Sequence, residues 1–99
     1  MGDPLFVVRG YDKPGAGPAR QAARAAHLAH LEAIGSVRLA GPVLDDAGAP
    51  IGSLLIYVAP DRATLDRWIA EDPYTAAGVF ERVEVAPFRW VIGAPADLT

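Results

Sequence analysis

The chain has 99 residues and a formal net charge of -3, from 9 Lys+Arg against 12 Asp+Glu, with 52% hydrophobic and 21% charged residues. These proportions describe one folded domain, and its core is thin, because a chain this short buries only a little over ~60% of the surface its unfolded form exposes. The lack of cysteine excludes disulfides, thiolate nucleophiles and Cys-ligated metal sites, and the mild acidity argues against nucleic acid or an anionic membrane as partner, since both demand clustered cations.

At the start, Met1-Gly2-Asp3-Pro4 lacks the basic segment of a signal peptide. No apolar run anywhere approaches the roughly 18 residues of a membrane span, so the expected compartment is the cytoplasm. Leu5-Phe6-Val7-Val8 reads as a strand ending near Tyr11, followed by a turn-rich loop over residues 12–17. Pro18 suits a first helical turn, where its missing N–H costs nothing. Residues 19–34 are rich in Ala, Leu, Arg and Glu, and Gly35 supplies a C-terminal stop.

Residues 37–44 read as a second strand interrupted by Gly41-Pro42, and residues 45–50 as a hairpin loop. The strongest strand signal covers 51–59, where Leu54-Leu55-Ile56-Tyr57-Val58 is unbroken. Asp61 can cap a second helix that runs to about Asp72 and stops before Pro73. One further turn over 74–78, a last strand over 79–92 and a tail over 93–99 complete the reading.

The order βαββαβ is the ferredoxin-like pattern, an α+β fold with an antiparallel four-stranded sheet and two helices on one face. Its first and third strands are central. Pro42 and Pro87 fall in the second and fourth, as edge positions require of a residue that cannot donate to a ladder. Both central strands are apolar at consecutive positions, so both sheet faces want burial. Two helices cover one face only, and a homodimer packed sheet to sheet is the simplest cover for the other.

Two ionisable residues interrupt apolar stripes. Ala23, His27, Leu31 and Ile34 share one helix face, which sets an imidazole against the core as a general base or as a satisfied core histidine. Leu65, Trp68, Ile69 and Asp72 share a face of the second helix. Asp72 ends that helix, where burial and the macrodipole both oppose its charge unless a cation or donor answers it. The two helices share one sheet face, so the pair can meet, a carboxylate orienting an imidazole. The alternative is an Asp72-Pro73 turn with the carboxylate in solvent.

Ser53 sits in a central apolar strand and needs a partner, either backbone or a small polar ligand. Arg24, three residues before His27, is a candidate holder of a carboxylate or phenolate, or simply a solvated helix-face cation. Tyr11, Asp12 and Tyr74 lie near strand and helix ends as further candidates. His27 and His30 lack a third ligand, so no metal is expected, and no phosphate- or dinucleotide-binding glycine pattern occurs. Trp68 and Trp90 read as core.

Arg24-Ala25-Ala26-His27-Leu28-Ala29-His30-Leu31, Leu39-Ala40-Gly41-Pro42, Ile51-Gly52-Ser53-Leu54 and, above all, Asp72-Pro73-Tyr74-Thr75-Ala76-Ala77-Gly78-Val79-Phe80-Glu81 resemble the YciI-like family (YCII-related domain) over residues 5–92. The resemblance implies a dimeric α+β barrel of ferredoxin-like protomers. It also implies a pocket with a His–Asp pair matching His27 and Asp72, joined by positions matching Ser53, Arg24 and Asp12. Chemistry of the dehalogenation type on chlorinated hydroxyaromatics is associated with that family, without fixing a substrate here.

The expected function is cofactor-independent acid–base chemistry (elimination, isomerisation or hydrolysis) on a small anionic or hydroxylated compound. His27 and Asp72 would be catalytic, with Arg24, Ser53, Asp12 and Tyr74 binding substrate. The alternative is a non-catalytic dimer that binds a small ligand.

Overall fold

The computed structural model describes residues 3–95; Met1, Gly2 and the last four residues of the expected tail lie outside them. Strand β1 (Leu5–Asp12) leads through a short loop to helix α1 (Gly17–Ile34), then β2 (Val37–Leu44), β3 (Pro50–Val58), helix α2 (Arg62–Glu71), one short helix α3 (Pro73–Ala76) and β4 (Phe80–Phe88). The sheet is antiparallel in the order β2-β3-β1-β4. This is the ferredoxin-like arrangement, with Pro42 and Pro87 on edge strands as expected.

Local chemistry explains most boundaries. Pro18 occupies the first turn of α1, and Gly35 ends it at φ 71°, with its N–H donating to the Leu31 carbonyl. Asp61 caps α2 by accepting from the Thr64 N–H at 2.7 Å, and that bond holds its carboxyl below the usual range.

Strand β4 ends at Phe88, four residues short of the sequence expectation. Its only neighbour is β1, whose ladder begins at Leu5 opposite Phe88. Beyond that point nothing among the described residues pairs with the chain, and Val91 and Ile92 stand 81% and 89% exposed.

Phe6, Val8, Leu55 and Tyr57 project from one sheet face and pack with Leu31 of α1 and Leu65 of α2. Both longer helices therefore cover that face. Trp68 packs on Tyr57, with ring centroids 6.3 Å apart, whereas Trp90 meets Phe88 edge-on and lies outside the core clusters. Tyr57 is 1% exposed, and burial, with a smaller part from the charge of Asp72, raises its phenol above the ordinary value. Among the described residues no helix is long and apolar enough to cross a membrane.

The opposite sheet face alternates with the first and carries Leu5, Val7, Leu39, Leu54, Ile56 and Phe88. No helix among the described residues covers it. Tyr11 belongs to this face, its ring flanked by the guanidinium groups of Arg9 and Arg82 at 4.2 and 4.1 Å and its hydroxyl donating to Glu84.

Candidate active site

The helix-covered face changes character along β1. Phe6 and Val8 are core, Gly10 has no side chain, and Asp12 ends the strand with a carboxylate on the same face. Beside it on β3, Leu55 gives way to Ser53. At this end the first turns of α1 bring down Arg20, which is 7% exposed. Its Nε and Nη2 donate to the two Asp12 oxygens at 2.9 and 2.8 Å, and Nη2 also donates to Ser53 Oγ at 2.9 Å. Burial would lower the Arg20 pKa, but hydrogen bonding to and the charge of Asp12, with a smaller part from Tyr74, together outweigh burial and leave the guanidinium more basic than usual.

Two turns further along α1, His27 is 6% exposed and its Nδ1 lies 2.8 Å from Asp72 Oδ1. Asp72, itself 5% exposed, is the residue between α2 and α3, and the same oxygen accepts from the Tyr74 N–H at 2.9 Å. Asp72-Pro73 does form a turn, but its carboxylate is buried and not in solvent, which corrects the alternative reading and leaves the pairing with His27. The carboxylate caps the short helix and receives the imidazole. The charge that the α2 C-terminus disfavours is answered by these two donors.

An ionised carboxylate can only accept, so the network puts the proton of neutral His27 on Nδ1 and a lone pair on Nε2. Tyr74 lies flat on the imidazole, with centroids 3.7 Å apart and planes 5° apart, and Arg20 Cζ lies 4.8 Å from the Tyr74 ring centre. One phenol ring thus joins the two ion pairs.

These groups border a cavity of about 600 Å³ between α1 and strands β2 and β3. Arg20, His27, Ser53 and Tyr74 line one side, Leu28, Leu55 and Pro42 give it apolar walls, and the two carboxylates are not among its lining residues. Each basic group therefore faces the cavity with an acid behind it. No sealed side-chain nitrogen or oxygen among the described residues lacks a partner.

The family model of the YCII-related domain matches residues 5–89. The chain belongs to the YCII-related domain family. The YciI proteins of Escherichia coli and Shigella flexneri are each 36% identical to it over 96 residues, covering 88% of this chain and 98% of theirs. Among solved structures, the 5-chloro-2-hydroxyhydroquinone dehydrochlorinase of Burkholderia phenoliruptrix, in complex with 2,5-dihydroxybenzoquinone, superimposes with a TM-score of 0.77 at 34% identity, over 90% of this chain and 95% of that one. A Mycobacterium tuberculosis protein at 20% identity and a TM-score of 0.57 shares the fold alone.

Within this YCII-related domain, His27, Asp72, Ser53, Asp12 and Tyr74 come together as a set, while Tyr11 lies on the far face of the sheet. Arg24 lines the same cavity but is exposed. The buried guanidinium belongs to Arg20, one turn earlier, which the sequence reading did not single out. Its signal was available: Arg20, Ala23, His27 and Leu31 continue one α1 stripe at i, i+3, i+7 and i+11. His30 serves the scaffold, its Nε2 donating to the Trp68 carbonyl at 3.0 Å and tying α1 to α2.

Proposed function

We propose that this YCII-related chain is a small-molecule enzyme in which His27 transfers a proton as general base or acid. Asp72 orients the imidazole and stabilises its protonated form. Arg20 and Ser53 hold the substrate oxygen on which negative charge develops. The observation that carries this reading is the buried 2.8 Å His27–Asp72 pair on the wall of a cavity that also presents a guanidinium and a hydroxyl.

With Nδ1 committed to Asp72, Nε2 is the nitrogen able to take a proton from a bound compound. Protonation leaves an imidazolium–carboxylate pair, which costs less in a buried site than a lone imidazolium. Arg20 spends Nε and Nη2 on Asp12 and Ser53 and also interacts with Tyr74, so a ligand oxygen in the cavity would meet the guanidinium beside the Ser53 and Tyr74 hydroxyls. Asp12 fixes the direction of that donor in advance, which favours charge developing in the transition state. Arg24 adds a second cation on the exposed side.

Leu28, Leu55 and Pro42 suit a flat ring. Together these groups fit a small anionic or hydroxylated compound, aromatic or enolisable, undergoing elimination, isomerisation or hydrolysis. The related dehydrochlorinase with its bound quinone supports that substrate class.

Thermal-shift screening against hydroxylated aromatic and enolisable acids is expected to find compounds that raise the melting temperature. Their turnover should fall at least ~10²-fold in His27→Ala. Undiminished turnover in that variant would overturn the reading. Binding without turnover of any compound would favour a non-catalytic ligand-binding protein instead.

We also propose that a second copy covers the bare sheet face, giving the dimeric α+β barrel. The support is its run of half-buried Leu5, Val7, Leu54 and Phe88 and exposed Leu39 around the buried Ile56, an apolar surface of the kind monomers rarely leave open. Light scattering at micromolar concentration should give twice the chain mass, and Leu54→Glu should give single chains. A monomeric parent protein would contradict this.

A further inference from the structure

Gly10 lies in the interior of β1, on the face that carries both core and site, between Val8 and Asp12. Glycine weakens a strand unless something needs the space its side chain would fill. Here the occupant is Phe80. A Cβ on Gly10 would stand 2.6 to 2.9 Å from three carbons of that ring, closer than real contacts allow. Phe80 in turn meets Tyr74 edge to face, with centroids 6.1 Å apart and planes at 82°. Tyr74 then lies flat against His27.

We infer that Gly10 and Phe80 are positioning residues for His27: the vacancy at Gly10 seats the Phe80 ring, Phe80 sets the plane of Tyr74, and Tyr74 aims the imidazole. The hydrogen bond to Asp72 holds Nδ1, and within the two torsions of the side chain it still allows the ring plane to tilt. A flat neighbour at 3.7 Å removes this freedom and so determines where Nε2 points. Tyr74 is tied at its backbone to Asp72, and its ring is placed between the Arg20 guanidinium, which also interacts with its hydroxyl, and Phe80 at its edge. Gly10 touches none of the reacting groups, and its effect passes through two rings.

The inference rests on His27 being the proton-transfer group, but its test reads geometry and not turnover. In carbon-detected proton NMR the Cε1–H signal of His27 should be displaced upfield by the stacked Tyr74 ring, relative to that of His30. Gly10→Ala pushes Phe80 aside and should move the His27 signal back downfield. Phe80→Leu, which keeps Gly10 but removes the ring at the edge of Tyr74, should move the signal downfield as well. A His27 resonance unchanged in folded Gly10→Ala or in folded Phe80→Leu would overturn the inference. If Gly10→Ala does not fold, Phe80→Leu decides alone: a signal moved downfield supports the seating, and one still displaced upfield contradicts it. Failure of the proposed function would appear elsewhere, as turnover surviving in His27→Ala.

Discussion

Replacing Arg20 by methionine is expected to destabilise the fold by about 3–5 kcal/mol, the usual consequence of leaving one half of a buried ion pair without its partner. The side chains of Arg20 and Asp12 are only 9% and 7% exposed, and the pair is bidentate. Loss of the guanidinium strands the Asp12 carboxylate and removes the donor to Ser53 as well. Asp12→Leu should cost a comparable amount for the opposite reason, an orphaned guanidinium. The double variant, with no buried charge left, should recover much of the loss, because an apolar pair of similar volume often replaces a buried salt bridge at little cost. Urea denaturation of the four proteins measures the cycle. Losses below about 1 kcal/mol in both single variants would match an exposed pair and contradict the buried one. The exposed pair Arg62–Asp66, with side chains 53% and 56% exposed, is the internal control, and its removal should change little.

Asp72→Asn is expected to lower turnover by roughly 10²–10⁴-fold while leaving the chain folded. Asparagine keeps an oxygen for the Tyr74 N–H but lacks the negative charge that stabilises an imidazolium at His27. The oxygen kept for Tyr74 is the one that also faces Nδ1, so the ring orientation survives and the loss is that of the charge. Ligand binding should suffer less, because Arg20, Ser53 and the apolar walls remain. The ratio of turnover rates at saturating substrate, set against the melting temperature, separates the chemical loss from an unfolding loss.

Much of the fold was legible because local rules and the global arrangement agree. Pro42 and Pro87 mark edges, Gly35 stops α1, Asp61 starts α2, and Leu54 to Val58 announce a central strand. The end of β4 was not legible, since Val91 and Ile92 look like strand but only the start of β1 decides where pairing stops. In the site, His27 and Asp72 stood out as ionisable residues inside apolar stripes.

Arg20 did not stand out, because arginine in the first turns of a helix is ordinary and its burial depends on Asp12 and Ser53, which arrive from two strands distant in sequence. Arg24 looked more suggestive through its nearness to His27, yet helical geometry turns it outwards. Gly10 was silent for a related reason. A strand glycine gains meaning only when the ring of Phe80, some seventy residues later, is known to lie on it.

The most direct test of the central pairing is the protonation of the His27 ring in the intact protein, read by nitrogen-15 NMR of the two imidazole nitrogens above the titration range. The geometry predicts an Nδ1–H locked to Asp72 and a bare Nε2, with that preference lost in Asp72→Ala, which removes the acceptor. An Nε2–H ring in the parent protein, or a freely exchanging mixture of tautomers unaffected by Asp72→Ala, would contradict it.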